Sequence, residues 1–227
     1  MGIVCTINHI MKLESNGILI SLRPFNERDS LAHIFTRDFG VLVGMMRGAA
    51  MARKNRPLVG QVGATIWGAR LDSQLGVFHW DAARNMAVPI MMDSAGLGFM
   101  NSAFALLVAL LPEREAYAAL YDETIQMLAD LARGQGKEAY LVWEVNLLRE
   151  LGYALDLSRC SGCGGDVGLN YLSPRTGRAV CDVCAAPYVN KLYSLPLNLN
   201  TTLRFLESVC AQQGAEIPVM RKMITGI

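Results

Sequence analysis

The chain has 227 residues, 52% of them apolar, and a formal net charge of +1. This length allows one large domain or two small ones, because a domain commonly takes about 100–200 residues. The near-neutral charge excludes a chain that is a polycation throughout, so any strongly basic surface must be local.

The charge is unevenly distributed along the chain. Residues 1–80 hold nine Lys/Arg and five Asp/Glu, a net of +4. Residues 81–150 hold five and ten, a net of −5, and residues 151–227 have a net of +2. A basic block followed by an acidic block predicts different partners for different parts of the chain.

The first third of the chain has the pattern of a small sheet. Residues 1–12 carry no motif and are expected to form a loose N-terminal tail. Short runs of branched and aromatic residues, bounded by turn residues, then predict five strands. The strands are expected at residues 17–23, 30–36, 41–47, 60–70 and 75–81.

Residues 48–58 form the longest connection between these strands, and a short helix is predicted at its centre, ending before Pro57. Three strands, a helix and two strands is the chain order of an OB-fold, whose open barrel face binds oligonucleotides. We therefore predict a five-stranded OB-fold nucleic-acid-binding domain over residues 13–84.

Beyond Pro89 the apolar spacing becomes helical, which makes the whole chain an α+β protein. Helices are predicted at residues 93–111, 113–132, 137–152 and 199–212. Residues 85–158 form the predicted helical domain, and residues 191–227 form a C-terminal helical part that packs on it. The pattern does not place the last residues, which follow Pro218.

One segment, residues 95–111, is free of charge and has the minimum length for a membrane span. It contains Asn101 and Ser102, and it lacks flanking clusters of Lys or Arg. A buried helix is therefore the preferred interpretation.

Four of the six cysteines form two CxxC pairs, Cys160 with Cys163 and Cys181 with Cys184, separated by seventeen residues. This spacing is typical of a zinc ribbon, here predicted over residues 159–190. Four cysteines complete a tetrahedral shell, whereas catalytic zinc keeps a position open for water. We therefore predict one structural zinc ion (Zn²⁺) that supplies folding energy to the ribbon.

Two alternatives for these cysteines are weaker. A thioredoxin-like redox pair requires one CxxC on a βαβ unit, and disulfides could form after loss of the metal. Cys5 is expected to be a thiol of the tail, and Cys210 a small buried hydrophobic residue. The first charged residue is Lys12, so no basic signal-peptide region is recognised, and a reducing, cytoplasmic location is expected.

Basic residues cluster in the predicted barrel. Guanidinium groups match phosphate oxygens in a bidentate way, and aromatic side chains stack on bases, which together suit sequence-tolerant binding of single strands. The candidate DNA-binding residues are Arg23, Arg28, Arg37, Arg47, Arg53, Lys54, Arg56 and Arg70. The candidate stacking residues are Phe35, Trp67, Phe78 and Trp80, of which Trp67 is expected in the core.

Three stretches resemble the RecO family of recombination mediators. They are GILISLRPFNERDSLAHIFTRDFG at residues 17–40, RGAAMARKNRPL at residues 47–58 and YLSPRTGRAV at residues 171–180. The resemblance covers about residues 13–195. Residues 1–11 are an extension that the family usually lacks, and the tail after Leu195 matches poorly.

The resemblance implies a DNA repair protein without catalytic activity. Such proteins bind single- and double-stranded DNA, anneal complementary strands and cooperate with RecR. They contact the acidic C-terminal tail of single-strand-binding protein and help to load recombinase onto DNA coated by that protein. The resemblance also implies association with the nucleoid, and it makes Arg47, Arg53, Lys54 and Arg56 phosphate contacts.

Two other classes of function remain open at this point. The chain could be a zinc-ribbon interaction adaptor that binds no nucleic acid and uses the acidic block at residues 81–150 as its working surface. A zinc enzyme would require a vacant coordination position, which a shell of four cysteines does not offer.

Overall fold

The computed structural model describes residues 11–52, 56–71 and 74–224. A barrel at the N-terminal end is followed by a helical body, and a small sheet that carries the four clustered cysteines is attached to that body. No helix in the described ranges has both the length and the apolar character needed to cross a membrane.

The barrel has five strands. They are β1 (Met11–Pro24), β2 (Ser30–Thr36), β3 (Gly40–Met46), β4 (Gln61–Ala69) and β5 (Gly76–Asn85). They close in the order β1-β2-β3-β5-β4, with β3 and β5 parallel and all other neighbours antiparallel. The prediction of a five-stranded OB-fold barrel is confirmed.

The first strand is longer than the apolar run that predicted it. β1 begins at Met11 because residues 11–18 pair with residues 62–69 of β4 and close the barrel. The predicted tail is therefore wrong for Met11 and Lys12, while residues 1–10 lie outside the described residues. The predicted helix between β3 and β4 is absent from residues 48–52 and 56–58, and its centre, residues 53–55, also lies outside them.

The barrel encloses its own apolar core. Leu19, Ile34, Leu42 and Trp67 are almost completely buried inside it. The indole Nε1 of Trp67 donates a hydrogen bond to the carbonyl oxygen of Val43 at 2.8 Å, so the polar atom of this large side chain is satisfied. The prediction that Trp67 belongs to the core is confirmed.

Two other predicted stacking residues are also buried. Phe78 faces the barrel interior and is 4% exposed. Phe35 is fully buried on the other side of the sheet, where its ring packs against Tyr121 at 5.7 Å between centroids. Both are core residues because the sheet is covered on both faces at these positions, and neither is available to a base.

The helical body contains most of the remaining elements. They are α1 (Ala87–Ile90), α2 (Ser94–Leu110), α3 (Ala118–Leu131), α4 (Gly136–Glu150), α6 (Leu199–Gln213) and α7 (Val219–Met223). The short helix α5 (Asp182–Ala185) belongs to the segment that carries the cysteines. Asp93 caps α2 by accepting hydrogen bonds from the amides of Ala95 and Gly96. Since α2 contributes Phe99, Phe104 and other buried residues to the main core, its uncharged sequence reflects burial within the protein.

α3 begins five residues later than predicted. The amide of Arg114 donates to the carbonyl oxygen of Val41 at 3.0 Å, and Glu113 forms a bridge with the same residue. Gly40 lies against this segment with φ +65°, and an added Cβ would collide with the carbonyl oxygen of Glu115. Pairing with the barrel thus overrides helix propensity, and Glu113 and Glu115 are not residues of a helix N-terminus.

A buried ion pair fixes the C-terminal helices. Arg221 of α7 and Glu144 of α4 are both fully buried and form a bidentate pair. Arg221 also donates to the carbonyl oxygen of Leu199 at 2.6 Å, and Tyr140 donates to Glu144 at 2.9 Å. The pair therefore connects α7, α6 and α4 through one charge network.

We expect Arg221→Ala to lower the free energy of unfolding by about 3–5 kcal/mol, because it leaves the Glu144 carboxylate buried without its counter-charge. Urea denaturation followed by circular dichroism measures the change. Lys222→Ala, at the neighbouring exposed position, is the matched control and should change stability by less than about 0.5 kcal/mol. Equal effects of the two substitutions would contradict the assignment.

Candidate metal centre and nucleic-acid surface

The clustered cysteines lie at one end of a three-stranded sheet. Its strands are β6 (Tyr171–Leu172), β7 (Ala179–Val180) and β8 (Tyr193–Ser194), with β6 in the centre. The hairpin of β6 and β7 agrees with the predicted ribbon, whereas β8 extends its sheet beyond the predicted limit at residue 190. We use the name ribbon for residues 159–194.

The four cysteines of the two CxxC pairs converge. The Sγ atoms of Cys160, Cys163, Cys181 and Cys184 all lie within 4.8 Å of one another, and all four are free thiols. Cys163 Sγ and Cys181 Sγ are 3.7 Å apart. Metal–sulfur bonds of about 2.3 Å in a tetrahedron give sulfur separations of about 3.8 Å, so this donor set could hold a metal ion.

Backbone amides favour the thiolate form at one corner. The amides of Cys181 and Gly162 donate to Cys160 Sγ at 3.3 Å and 3.4 Å. Hydrogen bonds from the amides of Cys181, Cys163 and Gly162, with that of Cys181 the largest contribution, lower the pKa of Cys160 to about 6. Hydrogen bonding to the three neighbouring sulfurs raises the pKa of Cys184 to about 12. A bound cation would lower the pKa of these neighbouring thiols, because metal ligation deprotonates a coordinating thiol.

The ribbon has little core of its own. Its separate cluster of buried residues consists of Cys160, Val180, Cys181 and Ala185, two of which are candidate metal ligands. Leu172 of β6 is fully buried in the main core and attaches the ribbon to the helical body. Such a small cluster buries little apolar surface, so a bound metal would supply much of the local folding energy.

Two clefts lie beside β5 and share Arg47, Val77 and His79 in their linings. One, of about 410 Å³, is lined by Lys12, Arg47, Arg70 and His79 among others. The second, of about 670 Å³, is lined by Arg47, His79 and Trp80 among others. We call the residues Lys12, Arg47, Arg70, His79 and Trp80 the β5 surface.

The turn between β1 and β2 lies beside Arg47. The amide of Ala50 donates to the carbonyl oxygen of Arg28 at 3.0 Å, and the amide of Gly48 donates to Asp29 Oδ1 at 2.9 Å. The bond from Gly48 is the main reason that the pKa of Asp29 is lowered, with smaller contributions from neighbouring cations. Residues 47–56 contain no acid, yet Arg47 has acidic neighbours in space, Asp29 in this turn and Asp81 in the lining of the second cleft.

The other predicted DNA-binding residues differ in their surroundings. Arg37 donates from Nε and Nη2 to the two oxygens of Asp122 on α3 at 3.0 and 2.9 Å, which raises the pKa of Arg37 and lowers that of Asp122. Arg37 thus joins the barrel to the helical body. Arg23 and Arg56 are exposed. Arg53 and Lys54 lie outside the described residues.

Sequence reasoning missed two members of the β5 surface. Lys12 belongs to the alternating stretch KLESN, whose polar character resembled a tail and hid its strand period. His79 was recognised as a strand residue, but a single histidine gives no signal of function. Of the four predicted stacking residues, Trp80 alone is only half-buried and contributes to a cleft.

Comparison with known proteins decides the family. Residues 11–79 match the family model Recombination protein O N terminal, and residues 92–217 match Recombination protein O C terminal. The chain belongs to the RecO family. The match continues past Leu195 to residue 217, so the expectation that the resemblance ends near Leu195 is wrong.

Named relatives cover most of the chain. The DNA repair protein RecO of Jannaschia sp. (strain CCS1) is 38% identical over 204 residues, which cover 88% of this chain and 83% of that protein. RecO of Dinoroseobacter shibae is 39% identical over 191 residues, which cover 82% and 78% of the two chains. RecO of Rhodospirillum centenum is 37% identical over 190 residues, which cover 82% and 76%. The family gives this chain a role in recombinational DNA repair.

Two glycines of the first knuckle provide a test of the metal centre. A Cβ added at Gly162 would lie 2.9 Å from Cys184 Sγ, whereas one added at Gly165 would lie 3.5 Å from Cys163 Sγ, an ordinary contact. We expect Gly162→Ala to weaken zinc binding roughly tenfold, by displacing a ligand.

Zinc affinity is measured by competition with a chromophoric chelator. Gly165→Ala is the matched control and should retain the affinity of the unsubstituted chain. If both variants bind zinc as tightly as that chain, the four sulfurs do not form the binding site.

Proposed function

We propose that the chain is a non-catalytic recombination mediator that binds single-stranded DNA on the β5 surface. The observation that carries the proposal is the position of Arg47, which contributes to both clefts beside β5. Arg47 therefore lies where a strand passing from one cleft to the other would place a phosphate. Arg70 supplies further positive charge along the first cleft, where Lys12 also lies in an ion pair with Glu14.

The β5 surface suits binding without sequence preference. Guanidinium and ammonium groups neutralise phosphates irrespective of the base, and a half-exposed indole stacks on any base. Because Trp80 is the one accessible aromatic among the predicted stacking residues, the strand is held mainly through its backbone. Most bases then remain free to pair with a complementary strand, which supports strand annealing as part of the proposed function.

The remaining partners rest on family membership. Double-stranded DNA is a second ligand, because phosphate contacts do not require unpaired bases. A RecR-like protein and the acidic C-terminal tail of single-strand-binding protein are the proposed protein partners, through which the chain would help to load recombinase onto coated DNA. This activity places the chain in the cytoplasm, at the nucleoid.

The proposed metal is one structural zinc ion held by Cys160, Cys163, Cys181 and Cys184. Four thiolates at tetrahedral spacing form a donor set that zinc prefers, and they supply no open position for a reacting water. Elemental analysis of freshly isolated, reduced protein tests the assignment, and one zinc per chain is the expected result. Absence of any tightly bound metal would overturn it.

The DNA-binding proposal predicts that Arg47→Ala combined with Arg70→Ala lowers the affinity for single-stranded DNA. The same change should also make that affinity less dependent on salt concentration. Each lost phosphate contact reduces the slope of log affinity against log salt by about 0.7 for single strands. Titration of a labelled oligothymidine at several salt concentrations, followed by fluorescence anisotropy, measures both quantities. Arg37→Ala is the control, because Asp122 already occupies that guanidinium, and it should leave the slope unchanged.

Trp80 provides a second test through its fluorescence. The chain has three tryptophans, and Trp67 and Trp143 are each 1% exposed. Stacking of a base on Trp80 should therefore quench its emission while the buried indoles remain unaffected. Trp80→Phe should abolish most of this quenching and retain most of the affinity. Quenching that persists in the variant would mean that bases do not stack on Trp80.

A further inference from the structure

The acidic part of the chain contains a cleft that neither the metal centre nor the β5 surface uses. It lies between α3 and α4 and has a volume of about 590 Å³, a size typical of ligand sites. We call it the α3–α4 cleft. Its lining includes Glu123, Met127, Asp130, Glu138, Ala139 and Val142.

Each helix contributes one stripe of residues to the cleft. On α3, Glu123, Met127 and Asp130 follow one another at intervals of four and three residues, so they lie on one face of the helix. On α4, Glu138 and Val142 are four residues apart and also share a face. Both stripes therefore combine apolar and acidic groups along the cleft.

The apolar part of the cleft is exposed to solvent mainly at Val142. Val142 is 62% exposed although it belongs to a helix whose neighbouring residue Trp143 is 1% exposed. The half-buried Ala139 lies on the same lining, and Met127 forms its floor at 2% exposure. An apolar side chain placed between the two helices would remove this surface from water, which favours docking.

The charged part of the cleft has one sign. Its lining contains three carboxylates and no lysine or arginine among the described residues, since Lys137 lies beside the cleft and outside its lining. Arg133 pairs with Asp130, and Arg149 pairs with Glu123 Oε1 at 2.8 Å. Glu138 is exposed.

One of these carboxylates is incompletely paired. Glu123 Oε2 is buried and has no hydrogen-bond partner among the described residues. A buried acceptor without a donor is unfavourable, so a donor supplied by a ligand would stabilise the complex. The ligand that best fits this position carries a cationic N–H group.

We propose that the α3–α4 cleft binds a basic, amphipathic helical segment of a partner protein. An apolar side chain of that segment packs against Ala139 and Val142, and flanking Lys or Arg side chains pair with Glu123 and Glu138. The exposed Glu138 and the absence of Lys and Arg from the described lining disfavour nucleic acid and acidic peptides here, because like charges oppose binding. An acidic tail that docks on this chain must use a different surface.

The dimensions agree with this mode of binding. Glu123 to Asp130 spans seven residues of α3, or about 10 Å at the helical rise of ~1.5 Å per residue. That length accommodates about two turns of a docked helix, which presents side chains at spacings of three and four residues. The segment would thus place one or two apolar residues in the cleft and its cations along the rims.

Fluorescence anisotropy with labelled synthetic peptides tests the proposal on the full-length, metal-loaded protein. The first peptide carries leucines at helical spacing among lysines, the second replaces the lysines by glutamates, and the third replaces the leucines by serines. We expect the first to bind at least about tenfold more tightly than either of the others. Comparable binding of the acidic peptide or of the serine peptide would overturn the proposal.

Matched substitutions locate the binding. Glu138→Lys and Val142→Ser should each weaken the lysine–leucine peptide about tenfold. Glu207→Lys, at an exposed position of α6 outside the cleft, makes the same charge change as Glu138→Lys and should alter affinity less than about twofold. Equal effects of the two lysine substitutions would show general charge attraction and overturn the proposal.

Two further readouts distinguish peptide docking from self-association and from DNA binding. Self-association of the chain that Glu138→Lys abolishes, without peptide binding, would assign the cleft to a second copy and overturn the proposal. Oligonucleotide affinity, measured on the same preparations, should be unchanged by Val142→Ser. Peptide binding by a chain that fails to bind DNA would support the cleft and contradict the proposed function separately.

Discussion

The fold depends on the burial of one side of the barrel against the helical body. Ile18 and Ile20 of β1 and Phe35 of β2 belong to the same apolar cluster as the helices. This shared core removes much of the outer surface of β1 and β2 from solvent. Most of β5 from His79 onward stays exposed, as does the start of β1, which carries Lys12. The β5 surface therefore lies where the helical body leaves the barrel uncovered.

Two peripheral parts of the molecule are held by different means. The ribbon has a minimal core, and its cysteines provide the donor set through which a metal would complete it. The C-terminal helices have an extensive apolar interface, and the Arg221–Glu144 pair adds a specific link at its centre. Metal coordination would thus replace apolar burial where the chain segment is too short to provide it.

The sequence predicted the features whose determinants are local. Five strands, four long helices and the convergence of the cysteines follow from periodicity and spacing within short stretches. Prediction from the sequence failed where residues far apart along the chain make contact. Pairing with β4 extended β1 to Met11, contact with Val41 delayed α3, and Asp122 paired with Arg37 across 85 positions. The α3–α4 cleft also could not be predicted from the sequence, although the net negative charge of residues 81–150 indicated a distinct surface.

The barrel closes through a short parallel contact. β3 and β5 pair over only three positions, from Gly44–Met46 to Gly76–Phe78, whereas β1 and β4 pair over eight. This seam has the fewest rungs of the barrel, so its amide hydrogens should exchange with solvent sooner than those elsewhere in the sheet. Arg47 immediately follows the β3 part of this seam, and His79 follows the β5 part. A nucleic-acid strand bound to both side chains would therefore connect β3 and β5 where they share the fewest backbone pairs.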